Sequence, residues 1–307
     1  MAKGPLSAPK HTSGILTPRP ILGYMAMMGN TVLIPVMAVA IKFLTAADFS
    51  TIQMLSWRSA LVLIVLLPFL FFSRFRKALF TADLKAHVIH ATLSIVSMSC
   101  FYFALRTLPI VTVTSINFTT PTIAVILASL LYREHISPIS WFALGIGFVG
   151  ALFILKPDLG GISFDMVVVM LGSFLAACTN LAVRRMPAKS SNFAVIFYLT
   201  CAGVVFFGLP GLANFRLPSG DQWIWVLLLG ATALSVHSFI IIAYRFSASM
   251  LIGALDYLRI IWAFAFGFFI FNETPGPLEF VGIAMICVSG LLSIAHMQKM
   301  KPTVNNF

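Results

Sequence analysis

Charged residues are scarce in this chain of 307 residues. They make up 9% of it, against about 25% in an average soluble protein. Acidic residues are the scarcer kind, with 9 Asp and Glu beside 20 Lys and Arg. A soluble domain of this size needs far more charge to cover its surface, whereas 60% of these residues are apolar. The composition therefore predicts an integral membrane protein and excludes a disordered chain, a collagen and a disulfide scaffold.

Sequence motifs for cofactors, metals and hydrolysis are missing as well. The four cysteines lie inside apolar runs without a CxxC spacing, so we expect neither disulfides nor metal ligands from them. No nucleotide-binding P-loop, HExxH or GxSxG motif occurs. His87 and His90 are three residues apart, but no cysteine or carboxylate completes a metal site with them. We expect no cofactor and no metal. The excess of Lys and Arg does not indicate nucleic-acid binding, because cationic loops that orient a membrane protein explain it.

What the chain does have is long apolar runs, which predict an all-α polytopic membrane protein. About 20 apolar residues are needed to cross the hydrocarbon core as a helix. Strands are disfavoured, because the runs are too long and do not alternate with a period of two. Ten segments satisfy the length requirement: 21–44, 50–72, 86–106, 110–131, 138–155, 164–184, 192–210, 223–243, 249–271 and 277–296.

The distribution of Lys and Arg predicts the orientation. With the N-terminus in the cytoplasm, 14 of them lie on the cytoplasmic side, 3 on the opposite side and 3 within or at the ends of spans. This asymmetry is typical of positive cytoplasmic loops. We therefore expect a multi-pass protein of the inner or plasma membrane, with cytoplasmic tails at 1–20 and 298–307.

The two halves of the chain are related by an internal repeat. A shift of 139 residues lays the fourth and fifth spans on the ninth and tenth, and a shift of 142 lays Lys42 on Arg184 and Pro68 on Pro210. The other matching polar pairs are Arg106 with Arg245, Asn117 with Asp256, and Glu134 with Glu273. Five spans per unit give units 21–156 and 157–297 opposite orientations. Inverted repeats of this kind are typical of secondary transporters.

The same residues carry a family resemblance. The run from Asn117 to Glu134, the following Pro138, and Lys156-Pro-Asp158 are similar to the drug/metabolite transporter superfamily, in its ten-helix form with two EamA-type repeats. The pattern recurs at Asn272-Glu273 and Pro277, although the second unit has no proline matching Pro121. The resemblance implies a secondary transporter of small organic solutes. Members include exporters of amino acids and drugs and uptake carriers for S-adenosylmethionine.

Charged residues inside the ninth span are the strongest candidates for a solute site. Asp256 and Arg259 are three residues apart and share a helix face. Ionisable groups at this depth are expensive and usually functional. They either line a hydrated cavity, where Asp256 binds a solute amine or a proton and Arg259 a carboxylate, or form a closed ion pair. Asn117 and Thr120, at the equivalent place in the first unit, either line the same cavity or hydrogen-bond between helices.

Further polar and aromatic residues complete the predicted site. Arg58 either binds an anion in the cavity or extends towards the interface, as we expect Lys42 to do. His237 either carries a proton or stays neutral between helices. The stacking candidates are Tyr102, Tyr257 and Trp262, each of which ordinary packing also explains. Pro121 frees a backbone carbonyl that acts as a hinge or a ligand.

The sequence therefore predicts a carrier of an amino acid or amino-acid-like solute, working as an exporter or linked to protons or exchange. Alternatives are a carrier of S-adenosylmethionine or cationic drugs, an intramembrane lipid-modifying enzyme, and a passive channel. The solute and the lipid bilayer are the expected partners. Gly145, Gly147 and Gly150 allow close helix contact within the bundle or in a homodimer.

Overall fold

The structure is a computed structural model. It describes residues 20–80, 83–132, 137–155, 163–186, 190–212, 216–247, 252, 255–273 and 276–299. Over these ranges the chain is helical and contains no strand. The helices are α1 (Pro20–Ala46), α2 (Thr51–Leu66), α3 (Ser73–Phe80), α4 (Leu84–Ala104), α5 (Ile110–Asn117), α6 (Thr119–Tyr132), α7 (Pro138–Leu155), α8 (Phe164–Arg185), α9 (Asn192–Gly203), α10 (Leu209–Leu212), α11 (Gln222–Phe246), α12 (Arg259–Phe271) and α13 (Pro277–Lys299).

Seven helical segments are long and apolar enough to cross a membrane. They coincide with seven of the ten predicted spans, so the prediction of an all-helical polytopic protein is confirmed. The other three predicted spans contain shorter apolar stretches, Trp141–Phe153, Arg259–Phe271 and Phe280–Ser289. The count of ten spans stays a prediction. Helix α3 was not predicted, and it lies between the second and third spans.

Polar caps and helix irregularities mark the ends of the spans. Ser50 and Gln53 form a reciprocal capping box at the start of α2, so both backbone N–H groups have acceptors. At its other end α2 continues as a 3₁₀-helix, Leu67–Phe71. In the second half a π-helical turn, Val204–Gly208, joins α9 to α10. Both irregular segments are next to prolines, Pro68 and Pro210, that match under the repeat.

The helix pairs of one half have counterparts in the other. Under the repeat, α1 corresponds to α8, α2 to α9, α4 to α11 and α7 to α13. Helix α1 packs along α11, and the corresponding α8 packs along α4. Helix α2 contacts α9, and α7 packs along α13. Exchanging the halves only swaps the two helices within each of these pairs. Exchanging the halves therefore preserves the main helix contacts.

Two spans are broken at equivalent positions. The fourth span turns at Phe118, between α5 and α6, and the ninth turns at Tyr257 and Leu258, just before α12. Phe118 and Tyr257 are 139 residues apart, and their ring centroids lie 5.2 Å from each other. A proline at 121 has no N–H to donate to the Asn117 carbonyl, which accounts for the first break. The two broken spans therefore meet where each loses its regular helix.

Glycines allow α7 and α13 to pack closely. A Cβ at Gly150 would lie 2.7 Å from the Gly282 carbonyl oxygen, and a Cβ at Gly147 would lie 2.8 Å from Ser289 Oγ. The Ser289 hydroxyl donates to the Ala143 carbonyl across the same contact, at 2.5 Å. Gly145 has open space around it. Of the two uses predicted for these glycines, Gly147 and Gly150 serve packing within the bundle.

Candidate functional site

A cavity of about 180 Å³ lies inside the helix bundle. One water molecule needs roughly 10–15 Å³ of such space, so the cavity has room for a solute or for several waters. Its walls come from both halves of the chain: α1, α2, α4, α5 and α6 from the first, and α8, α11, α12 and residue 256 from the second. Of the predicted site residues, the structure brings Arg58, Tyr102, Asn117, Thr120, His237, Asp256 and Arg259 to its wall.

The first polar cluster on this wall joins the two broken spans. Arg259 Nη2 lies 3.3 Å from Asp256 Oδ2 and donates to Asn117 Oδ1 at 2.7 Å. The guanidinium also lies 5.1 Å from the centroid of the Phe118 ring. Asp256 and Arg259 are 8% and 4% exposed. The sequence left two possibilities open for Asp256 and Arg259, a place on the cavity wall or a closed ion pair. The structure shows both, because this ion pair also lines the cavity.

One oxygen of Asp256 has no hydrogen-bond partner among the described residues. This Oδ1 atom is buried, although Oδ2 is paired. A buried carboxylate oxygen without a donor is costly. A solute ammonium, a bound water or a proton would satisfy it. Thr120, nearby on α6, donates its hydroxyl to the Ser173 carbonyl at 3.2 Å and so links α6 to α8.

The second polar cluster is built around Arg58 of α2. Arg58 Nη2 lies 3.1 Å from His237 Nδ1 of α11, and its guanidinium carbon lies 6.0 Å from the Tyr102 ring centroid. Since an arginine only donates, Nδ1 of His237 accepts this hydrogen bond in the neutral tautomer whose proton is on Nε2. The same Nδ1 lies 3.0 Å from the Ala233 carbonyl, to which it donates in the other neutral tautomer or in the protonated ring. The ring can therefore exchange one partner for the other.

Three predicted site residues lie elsewhere. Tyr257 is buried away from the cavity, and its hydroxyl lies 3.3 Å from Thr122 Oγ1. Trp262 is 40% exposed and its ring contacts Phe266. Pro121 lies in the first turn of α6, three residues after the break at Phe118.

The cavity also has polar residues outside the predicted set described above. Thr179 and Asn180 of α8 line it, and Asn180 Nδ2 donates to the Tyr244 hydroxyl of α11 at 3.4 Å. His90 of α4 lines it too. The spacing of the α8 lining residues, at 176, 179, 180 and 183, follows one helix face. This spacing is the signal that could have found them.

An ion pair closes one end of the bundle. Lys42 Nζ, near the end of α1, pairs with Glu273 Oε1, which also lies 3.4 Å from the Ile110 backbone N–H. Beside it, Phe43 stacks on Trp225 with ring centroids 4.0 Å apart. Lys42 was expected to extend to the membrane interface. That expectation is wrong, because a half-buried carboxylate from the other half of the chain lies within its reach.

Metal binding has no support among the described residues, which contain no group of three or more potential ligands. His87 stacks against Tyr198 with centroids 4.8 Å apart. The four cysteines are free.

Comparison with known proteins gives one family match, which occurs twice. The profile of the EamA-like transporter family matches residues 21–156 and again residues 164–295. Together the two matches cover most of the chain. They also divide it close to the boundary between the units proposed from the internal repeat.

Several curated proteins are similar over most of the chain. An S-adenosylmethionine uptake transporter of Rickettsia felis is 25% identical over 237 residues, which is 77% of this chain and 80% of that protein. A riboflavin transporter of Vibrio cholerae is 26% identical and covers 75% of this chain and 78% of its own length. A pseudopaline exporter of Pseudomonas aeruginosa is 22% identical, covering 66% and 72%.

One solved crystal structure has the same fold. It aligns with a TM-score of 0.71 and 15% sequence identity, covering 91% of this chain and 98% of the other. At that identity the likeness concerns the fold alone.

Proposed function

Because the chain belongs to the EamA-like transporter family, we propose that it is a secondary-active carrier that works by alternating access. Its substrate is a small organic metabolite, an amino acid or an amino-acid-like solute, which it carries across the inner or plasma membrane as an exporter or in exchange for protons or another solute. The observation that carries this proposal is the cavity between the two broken spans, lined by buried charged residues from both halves. Charges at this depth are costly and are typical of a solute pathway.

The architecture that we propose is ten spans in two inverted five-helix units, residues 21–156 and 157–297. Three observations support it: the family profile matches twice, the helix contacts persist when the halves are exchanged, and the breaks at Phe118 and Tyr257 are equivalent. Two units that can exchange conformations allow the cavity to be reached first from one side and then from the other. We also propose a homodimer. The close glycine contacts do not support it, because Gly147 and Gly150 are used for packing within the bundle.

The side that the cavity faces follows from the proposed orientation. With both termini in the cytoplasm, the Lys42–Glu273 pair lies at the outer end of the bundle. Lining residues such as His90, Val183 and Tyr244 lie towards the cytoplasmic ends of their helices. The conformation described here is therefore the one closed at the outer side, with the cavity extending towards the cytoplasm.

The residues of the cavity wall divide into roles. Asp256 binds a solute amine or a proton through its unpaired oxygen. Asn117 holds Arg259 in place, and Thr120 and Tyr102 form the wall beside them. His237 is the second candidate for the coupled proton. We leave Tyr257 and Trp262 out of the site because neither lines the cavity.

Other functions fit the observations less well. The similar proteins are named for S-adenosylmethionine, riboflavin and pseudopaline, so a carrier of S-adenosylmethionine or of a cationic solute is the second candidate. The names of these relatives favour a carrier over a lipid-modifying enzyme. A passive channel would favour a continuous polar stripe, whereas the charged residues that line this cavity are confined to two places, Arg58 on α2 and Asp256 with Arg259 on the ninth span.

Counterflow in proteoliposomes tests the proposal. Vesicles containing the purified chain are loaded with unlabelled methionine or S-adenosylmethionine, and uptake of the same labelled solute is followed. A carrier shows a transient accumulation that depends on internal solute, and vesicles without protein serve as the control. Uptake that ignores the internal solute would indicate a pore, and failure of counterflow across a panel of metabolites would contradict a metabolite carrier.

A further inference from the structure

We propose that Arg58, and not Arg259, binds a carboxylate group of the solute, and that the substrates are organic carboxylates with an apolar or aromatic body. This inference rests on the proposed function, since it assigns a substrate class to the same cavity. It starts from a difference between the two arginines on the cavity wall.

Arg58 carries a charge that has no counter-ion among the described residues. An arginine stays protonated in proteins, and this one is 6% exposed in the middle of α2. Its nearest polar contacts are the neutral nitrogen of His237 and the face of Tyr102. No carboxylate of the described residues lies within ion-pair distance, and its Nε atom is buried without a partner. An uncompensated charge in such a place is unfavourable until an anion arrives.

Arg259 is already neutralised. Its guanidinium is held between the Asp256 carboxylate and the Asn117 amide oxygen, with the Phe118 ring beside it. A solute carboxylate that bound there would have to displace Asp256. At Arg58 it displaces only a neutral histidine nitrogen. The electrostatic cost of binding an anion is therefore lower at Arg58.

The surroundings of Arg58 indicate the rest of the ligand. A guanidinium presents paired N–H donors that match the two oxygens of a carboxylate. The wall around it is mainly apolar, formed by side chains such as Met37, Met98 and Phe101. A small inorganic anion would leave this apolar wall without contacts. An organic acid fills it, with the carboxylate at Arg58 and the apolar part against the methionines and the aromatic ring.

A second, smaller void supports the position of this subsite. It measures about 20 Å³, space for one or two waters, and Arg58 and His237 line it as well as the main cavity. The pair therefore separates the solute cavity from a water-sized space beside Ser59 and Thr200. A guanidinium in this position can turn one edge to the solute while its other N–H groups remain solvated.

Binding of matched solute pairs tests the inference. The detergent-purified full chain is titrated with methionine against methionine amide, and with S-adenosylmethionine against its decarboxylated form, which lacks only the carboxylate. We expect the carboxylate member of a binding pair to be favoured by about 10- to 100-fold, the range for a hydrogen bond to a charged group. Arg58→Gln should abolish that preference, and Arg58→Lys should keep part of it. Arg106→Gln, an exposed arginine outside the cavity, is the matched control and should leave it unchanged.

The outcomes separate this inference from the proposed function. Equal binding of the carboxylate-free analogues, or an unchanged preference in Arg58→Gln, would overturn the carboxylate subsite while leaving a carrier intact. If Arg58→Gln does not fold, the Arg58→Lys titration decides, because an unchanged preference ratio there overturns the assignment. If neither member of any pair binds and counterflow fails as well, the carrier function and the subsite are both contradicted.

Discussion

Lys42 and Glu273 form an ion pair that joins the two halves of the chain at one end of the bundle. The lysine comes from α1 and the glutamate follows α12. Both side chains are half-buried, and the second glutamate oxygen is buried without a described partner. Any conformation that opens the cavity at this end has to separate the two residues. In the proposed alternating-access cycle, the pair therefore contributes to the energy difference between the closed and open forms.

Glu273→Gln should shift the carrier towards the form that is open at this end. The two side chains are only about one-fifth exposed, so the pair contributes at least the roughly 1 kcal/mol of the strongest exposed pairs, and the open population should rise about fivefold or more. Leu44 is fully buried just beyond Lys42, and Leu44→Cys in a background without the native cysteines reports the opening through its labelling rate by a membrane-impermeant maleimide. Lys42→Arg, which keeps the charge, is the control. An equal labelling rate with and without Glu273→Gln would contradict a role of the Lys42–Glu273 pair in keeping this end closed.

Asp256→Asn should lower the stability of the protein and abolish transport. Removing one partner of a buried pair leaves the other charge uncompensated, at a cost of up to about 3–5 kcal/mol. The double variant Asp256→Asn/Arg259→Gln removes both charges and should recover most of the thermal unfolding temperature. We expect it to remain inactive in counterflow, because the amine or proton acceptor is gone. An active double variant would mean that the pair is structural.

His237→Gln should remove a pH dependence of solute binding. A protonated ring would put a second cation next to Arg58, 3.1 Å away, unless a carboxylate lies between them. Solute binding should therefore recruit a proton, and by linkage the solute should bind more tightly as the pH falls from about 8 to 5. His90 of α4 also acts electrostatically on the ring, and the other ionisable residues that line the same cavity are Tyr102, Tyr244, Asp256 and Arg259.

The measurement for His237 is the dissociation constant of a binding carboxylate across this pH range. The wild type should show tighter binding at low pH, and His237→Gln should show a flat profile with binding preserved. His90→Gln is the matched variant on the opposite helix, and it should keep the slope. A flat wild-type profile would contradict the proton linkage.

Gly150→Ala should destabilise the bundle, whereas Gly145→Ala should not. The new Cβ at 150 meets a backbone oxygen of α13 at 2.7 Å, so the two helices have to separate. Overpacking of this kind costs about 1–3 kcal/mol. At 145 there is open space, and alanine is the better helix former by about 1 kcal/mol. Thermal unfolding in detergent compares the two, and equal effects would contradict the close packing of α7 on α13.

Hydropathy and repeat spacing predicted much of this fold because they depend on local properties of the chain. Apolar runs of about 20 residues are long enough to form spans, and the equivalence of Asn117 and Asp256 predicted that the fourth and ninth spans correspond. The turn at Phe118 was only partly foreseen, through Pro121. Helix α3 was missed because it lies in a polar linker that hydropathy leaves unassigned.

Pairings between distant residues could not be predicted from one sequence. Arg58 and His237 are separated by 179 positions, and Lys42 and Glu273 by 231. Nothing in the local sequence distinguishes a lysine that reaches the interface from one that meets a carboxylate on another helix. Tyr257 is next to Asp256 in the sequence, but neighbouring residues in a turn point in different directions. The Tyr257 side chain therefore lies outside the cavity, where it contacts Thr122.

The excess charge at Arg58 has an electrical consequence. With neutral histidines, Arg58, Asp256 and Arg259 give the empty cavity one net positive charge. One elementary charge moved through the membrane field corresponds to about 2.3 kcal/mol per 100 mV. An inside-negative voltage would hold the unloaded site facing the cytoplasm, whereas a bound carboxylate would cancel the charge. The unloaded step of the cycle would then respond to voltage. The loaded step would be electrically silent for a carboxylate bound without a proton, and would respond to voltage once His237 has taken up the proton.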